Sequence, residues 1–99
     1  MITKENAIQI LKKKQKKYNT MGIKIIGIFG SIAKGNQNES SDVDILYDTE
    51  KGVENLHDKK VQLRTELEEL FHTKVDLASK KYIKPFVKDE IMKDLIYVR

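Results

Sequence analysis

Between residues 3 and 19, Ala7, Ile8, Leu11 and Tyr18 recur at helical spacing. Lys12, Lys13, Lys14, Lys16 and Lys17 fill most of the remaining surface of that segment. Thr3 stands where an N-cap belongs, Glu5 suits the positive end of the helix dipole, and Gly22 can take the left-handed turn that ends the element. The period then changes. Ile23-Lys24-Ile25-Ile26-Gly27-Ile28-Phe29 is short, β-branched and almost wholly apolar, which predicts a buried central strand. A short helical turn over 32–34 should end at Gly35, followed by a polar loop over 36–41. A second strand is predicted over 43–47 and a turn over 48–52. Leu56, Leu63, Leu67, Leu70 and Phe71 keep helical spacing to about residue 72. A third short strand is predicted over 74–78. Pro85 suits the first position of a last helix, and residues 95–98 suit a terminal strand. The order of elements predicts an α/β (α+β) fold: a small mixed sheet of three or four strands with helices packed on one face.

The length of 99 residues allows one compact domain, so a single domain over residues 1–99 is expected. The absence of cysteine excludes disulfides and thiolate metal sites, so any metal must use oxygen or imidazole ligands. The formal charge of +4 suits a polyanionic substrate without demanding one. The longest apolar run, 23–29, is too short to cross a bilayer, and the N-terminus turns polar at once. A cytoplasmic location without membrane contact is therefore expected.

The chemistry gathers in Phe29-Gly30-Ser31-Ile32-Ala33-Lys34-Gly35 and Ser41-Asp42-Val43-Asp44. Gly30 lets the backbone approach a ligand closely, and the amides at Ser31 suit a phosphate. Asp42 and Asp44 are two apart, so their carboxylates leave one face of a strand. Such a pair is tolerable when a divalent cation sits between the two, and hard oxygen ligands favour magnesium or manganese. Parity places a third carboxylate, Asp76, on the same side, where it can complete a metal site or accept the proton of an attacking hydroxyl. The Gly-Ser turn ends the first strand while the acidic pair opens the second. Both can meet one triphosphate only if these strands are antiparallel neighbours.

The pattern Gly30-Ser31-x-Ala33-Lys34-Gly35 … Ser41-Asp42-x-Asp44, with a later Val75-Asp76-Leu77, resembles the DNA polymerase beta-like nucleotidyltransferase superfamily. Over nearly its whole length the chain looks like the minimal nucleotidyltransferases, often antitoxins paired with HEPN-domain toxins. The resemblance implies transfer of AMP from ATP to a tyrosine hydroxyl of a cognate HEPN RNase toxin, with two Mg2+ ions. It places Asp42, Asp44 and Asp76 at the metals and in catalysis, and Gly30, Ser31 and Lys34 at the phosphates. The family commonly has arginine at the Lys34 position, and lysine keeps the charge but not the bidentate fork.

Rival readings are a non-catalytic antitoxin that acts by binding alone, or a transferase acting on RNA ends or a small molecule. Asp42 and Asp44 could also be a solvated turn, and Asp76 could simply pair with Lys74 or Lys80. The lysine run over 12–17 reads as a solvated face, and no aromatic residues interleave with it as direct nucleic-acid binding would favour. His57 and His72 have no partner at metal spacing. Tyr18, Tyr82 and Tyr97 read as packing residues, although Tyr82, close to the third strand, could stack on a base.

Overall fold

The computed structural model describes residues 2–98. Helix α1 spans Lys4–Thr20, and the Thr3 hydroxyl caps it by accepting from the Asn6 amide at 3.2 Å. Strand β1 (Ile23–Phe29) leads directly into the five-residue helix α2 (Gly30–Lys34). Strand β2 (Val43–Thr49), helix α3 (Leu56–Phe71), strand β3 (Val75–Ser79), helix α4 (Pro85–Asp94) and strand β4 (Ile96–Tyr97) follow. The sheet order is β3-β2-β1-β4. β1 runs antiparallel to β2 and β4, and β2 runs parallel to β3. The antiparallel β1–β2 contact required by the Gly-Ser and Asp-x-Asp motifs is therefore present.

Two boundaries move for tertiary reasons. β2 continues through Asp48 and Thr49, where a turn was expected, because Lys24 and Ile23 of β1 stand opposite them. The Glu50 amide then closes that end by donating to the Gly22 carbonyl at 2.9 Å. Leu70, expected in the core, is exposed at the outer side of α3, while Leu63, Leu67 and Phe71 are buried.

One face of the sheet carries Ile25, Ile28, Val43, Ile45, Tyr47, Val75 and Leu77, packed with Ala7 and Leu11 of α1 and with Leu63 and Leu67 of α3. Fully burying each such aliphatic side chain contributes about 1.5–3 kcal/mol, which makes this cluster the main source of cohesion. Glu66 joins the two helices: it accepts from Tyr18 Oη at 2.7 Å and from Lys17 Nζ at 2.5 Å. The Lys17 hydrogen bond holds the Glu66 carboxyl below its ordinary range, with the Tyr18 bond acting the same way. A bulge at Ile26 interrupts the β1–β2 register, and the Gln15 amide compensates for it. Gln15 donates to the Ile25 carbonyl at 2.8 Å and accepts from the Ile25 amide at 2.9 Å.

The opposite face is closed at one end. Leu46, which shares this face with Asp44, is 2% exposed and stands outside the α1–α3 cluster, as does the buried Ile91 of α4. Gly27 is its partner on β1. A Cβ at Gly27 would overlap the Ile96 carbonyl and crowd Leu95 Cδ1, so the chain leaving α4 closes over this part of the sheet. The expected open acidic face survives at the carboxylates, since Asp42 and Asp76 are exposed. No helix among the described residues is long and apolar enough to cross a membrane.

Gly27→Ala should destabilise the protein by about 1–3 kcal/mol, because the added methyl meets backbone that cannot swing aside. Urea unfolding of the two proteins measures the difference. An unchanged midpoint would show that α4 and β4 can move off β1 freely.

Candidate active site

β1 hands the chain to α2 at Gly30, whose φ of +74° is a left-handed conformation that favours glycine. A Cβ here would overlap Asp44 Oδ2, so the missing side chain is also what lets the turn lie against the carboxylate. The cause is the register: Phe29, the last residue of β1, stands opposite Asp44. Ser31 follows in the first turn of α2, partly exposed, its hydroxyl without a protein partner among the described residues. Gly35, at φ +79°, ends the helix by donating to the Ile32 carbonyl at 3.1 Å.

On the other side of Asp44 the parallel ladder sets Asp76 of β3 directly opposite it. Paired residues of neighbouring strands project to the same face, so these carboxylates stand side by side. Asp42 lies one residue before β2 rather than within it. Its loop is tied down at several points. The Asn38 amide donates to Ser41 Oγ at 2.9 Å, Thr73 Oγ1 to the Ser41 carbonyl at 3.2 Å, and the Val43 amide to the Lys74 carbonyl at 2.9 Å.

Electrostatics single out the middle residue. Burial first, then the charges of Asp76 and Asp42, together push the Asp44 carboxyl up to about 6. Asp76 is exposed and pairs with neither Lys74 nor Lys80. The three carboxylates do not form a closed cage: among the described residues no group of three or more acidic, histidine or cysteine side chains is gathered as a metal site. The donor chemistry nevertheless fits magnesium. That ion takes one or two carboxylates and completes its octahedron with water and substrate phosphate oxygens, so an open set of hard ligands suits it.

Lys34 is directed elsewhere. Its ammonium lies 3.4 Å from Asp94 Oδ2 at the end of α4, with both side chains part-exposed. Sequence reading did not find Asp94, because the pairing depends on where α4 returns to α2 and no local pattern encodes that return. Gly30, Ser31, Asp42, Asp44 and Asp76 do come together at one end of the sheet. The group is suited to holding a polyphosphate through α2 amides on the β1 side and cations over the strands.

The raised Asp44 carboxyl fixes the sign of a stability effect. Ionised Asp44 opposes folding above about pH 6, and the penalty fades as pH falls toward the unfolded-state value near 4. In metal-free buffer Asp44→Asn should therefore be the more stable protein at pH 7.5. With discounting for solvent around a half-exposed group, the gain is on the order of 1 kcal/mol, and it should vanish near pH 4. Thermal unfolding from pH 4 to 8 in EDTA measures this, and a pH-independent difference would contradict the repulsion.

The geometry agrees with what comparison with known proteins finds. Residues 4–98 match the family model described as the nucleotidyltransferase domain. A Methanocaldococcus jannaschii protein, provisionally named a protein adenylyltransferase, is 41% identical over 92 residues, covering 91% of this chain and 92% of its own. The protein adenylyltransferase MntA of Thermococcus cleftensis is 35% identical over 99 residues, covering 99% of this chain and 98% of its own. A solved structure, provisionally described as a minimal nucleotidyltransferase, superposes with a TM-score of 0.74 at 25% identity, over 96% of this chain and 95% of that one. A Shewanella oneidensis complex, of a tri-AMPylated HEPN toxin with an MNT antitoxin, shares the fold at a TM-score of 0.62 and 18% identity, over 93% of this chain and 71% of the other. With the motif residues assembled at one end of a four-stranded mixed sheet, this chain belongs to the nucleotidyltransferase domain family and is a nucleotidyltransferase of its minimal type.

Proposed function

We propose that this protein is a protein adenylyltransferase that acts as an antitoxin. It transfers AMP from ATP to a tyrosine hydroxyl of a cognate HEPN-domain toxin. The observation that carries the reading is the alignment of Phe29, Asp44 and Asp76 across three strands, which sets the Gly30–Ser31 turn and two carboxylates side by side. The named relatives and the HEPN complex support the choice of AMP and of a protein acceptor.

In this reading the amides at the start of α2 and the Ser31 hydroxyl receive the β- and γ-phosphates. Asp42 and Asp44 hold magnesium, with Asp76 completing the set; when bound, the metal neutralises phosphate charge and lowers the pKa of the attacking hydroxyl. Asp76 faces solvent at the edge of the site, where it can take the proton of that hydroxyl. Lys34 reaches a phosphate oxygen by exchanging Asp94 for it. The carboxylates stand at an accessible end of the sheet, so the acceptor arrives on its own protein and covers them. To react, its oxygen must come within roughly 3–3.5 Å of the α-phosphorus.

Asp42→Asn and Asp44→Asn should each lower AMP transfer to the co-purified partner by more than about a hundredfold while leaving the fold intact. Incorporation of labelled AMP, with circular dichroism as the fold control, tests this. Transfer at the wild-type rate in either variant would reject the metal-carboxylate mechanism, and retained toxin inhibition without any transfer would favour an antitoxin that works by binding.

Magnesium and ATP should raise the melting temperature only together, because carboxylates and triphosphate repel one another until a cation joins them. Thermal scans with each ligand and with both decide the point. An equal shift with ATP alone would place the nucleotide on a metal-free phosphate site.

A further inference from the structure

β3 ends the sheet, with β2 as its neighbour on one side and no strand among the described residues on the other. Successive residues of a strand turn their backbone groups to opposite sides, so the groups that face away from β2 can be named. The Val43 amide donates to the Lys74 carbonyl and the Lys80 amide to the Tyr47 carbonyl, both at 2.9 Å. Lys74, Asp76, Ala78 and Lys80 therefore turn their backbone groups to β2, while Val75, Leu77 and Ser79 turn theirs outward.

Part of this edge is already in use. The Val75 amide donates to Glu68 Oε2 at 2.9 Å. The Ser79 carbonyl accepts from the amides of Tyr82 and Ile83 at 3.1 and 3.2 Å. The Val75 carbonyl, both backbone groups of Leu77 and the Ser79 amide have no partner among the described residues. An antiparallel guest strand bonds through both groups of each outward residue, so it would compete with Glu68 and with the turn. A parallel guest needs only the groups that are open. Its residue paired with Asp76 donates to the Val75 carbonyl and accepts from the Leu77 amide. Its residue paired with Ala78 donates to the Leu77 carbonyl and accepts from the Ser79 amide. The β2–β3 ladder has this same geometry, since Val43, paired with Val75, donates to Lys74.

Paired residues project to one face, so the guest residue opposite Asp76 sets its side chain beside that carboxylate, on the acidic face. Lys74 and Lys80 stand on the same face to either side of Asp76, both exposed and without an ion pair among the described residues. The guest residue opposite Ser79 turns to the other face. There a cavity of about 440 Å³, lined by Leu77, Ser79, Lys60 and Tyr82 among others, can receive an apolar side chain. Tyr82 is 81% exposed at this cavity, so the packing role expected of it from sequence does not hold.

We propose that the open edge of β3 docks an extended segment of the acceptor protein as a parallel strand, with the hydroxyl-bearing residue paired with Asp76. Strand addition of this kind draws affinity from main-chain bonds and specificity from alternate side chains. Acidic residues two before and four after the acceptor residue meet Lys74 and Lys80, and an apolar residue three after it enters the cavity. The role of the hydroxyl rests on the adenylyltransfer reading, whereas docking needs neither ATP nor metal and is measured without them.

The probe is the end-capped peptide Ser-Glu-Thr-Tyr-Thr-Ser-Leu-Glu-Ser, titrated into the intact protein in EDTA to about 1 mM. Amide hydrogen exchange followed by NMR should slow at least tenfold at Leu77 and Ser79 and stay unchanged at Val75. N-methylation of the peptide tyrosine removes the donor to the Val75 carbonyl and should weaken binding at least tenfold. N-methylation of the residue after it, whose N–H faces solvent, should change little. Lys74→Gln combined with Lys80→Gln should weaken binding about fivefold at low salt and less at high salt. Both lysines are exposed, so the fold is unaffected. Unprotected Leu77 and Ser79 amides, or equal losses from the two methylations, would overturn the docking site. The same protection appearing with protein concentration alone would give the edge to a second copy and overturn the partner. With magnesium and ATP added, a peptide with the tyrosine and the following threonine exchanged should still bind but accept AMP at least tenfold less, because its hydroxyl faces the wrong side. Equal modification of the two peptides would overturn the pairing with Asp76. Intact docking with no transfer to either peptide or to the co-purified partner would reject the adenylyltransfer reading and leave the strand site standing.

Discussion

The half-burial of an acid among like charges is the constraint around which this molecule is arranged. Asp44 occupies the middle position, with the Gly30 turn against it on one side and Asp76 beside it on the other. Half-buried and flanked by two further carboxylates, it carries a carboxyl pushed up to about 6. A packed sheet would be more stable with a neutral residue there. Retaining an acid there costs stability, as groups kept for chemistry rather than for packing commonly do.

That strain is contained by the other face. The aliphatic cluster of α1, α3 and the central strands fixes the register that holds Asp44 opposite Asp76. A slip of one residue would turn every carboxylate into the core, so burial of Val43, Ile45, Val75 and Leu77 indirectly aims the acids outward. Gln15 repairs the backbone at the β1 bulge, and Glu66 ties α1 to α3. Near the site, Lys34 is balanced by Asp94, which links the helix that follows the Gly30–Ser31 turn to the helix that returns the chain to β4. The turn and the carboxylates are thus held by separate parts of the fold.

The same arrangement divides the surface by chemistry. Helix amides and Ser31 lie on the β1 side, and an accessible acid, Asp76, lies on the β3 side. Leu46, between these regions and the far end of the sheet, is covered by the segment that leaves α4.

Local chemistry written in the sequence sufficed for much of this. Thr3, Gly22, Gly35 and Pro85 mark element ends because capping and left-handed turns depend on single residues. Alternation in 43–47 and 75–77 separates apolar from acidic positions because strand geometry has a period of two. The Gly-Ser and Asp-x-Asp motifs together required antiparallel neighbours, and β1 and β2 are antiparallel neighbours. Tertiary structure decided whatever depends on contacts distant in sequence. Pairing with Ile23 and Lys24 extended β2 through Thr49. Leu70 keeps helical spacing, yet α3 turns it outward, since periodicity defines a stripe but not its width. Lys34 has a short-range role in the motif, but the position of its ammonium is set by Asp94, sixty residues away. Tyr82 looked like packing and stands in solvent, because a loop residue is buried only if another element happens to lie over it, and local sequence does not encode that element's path.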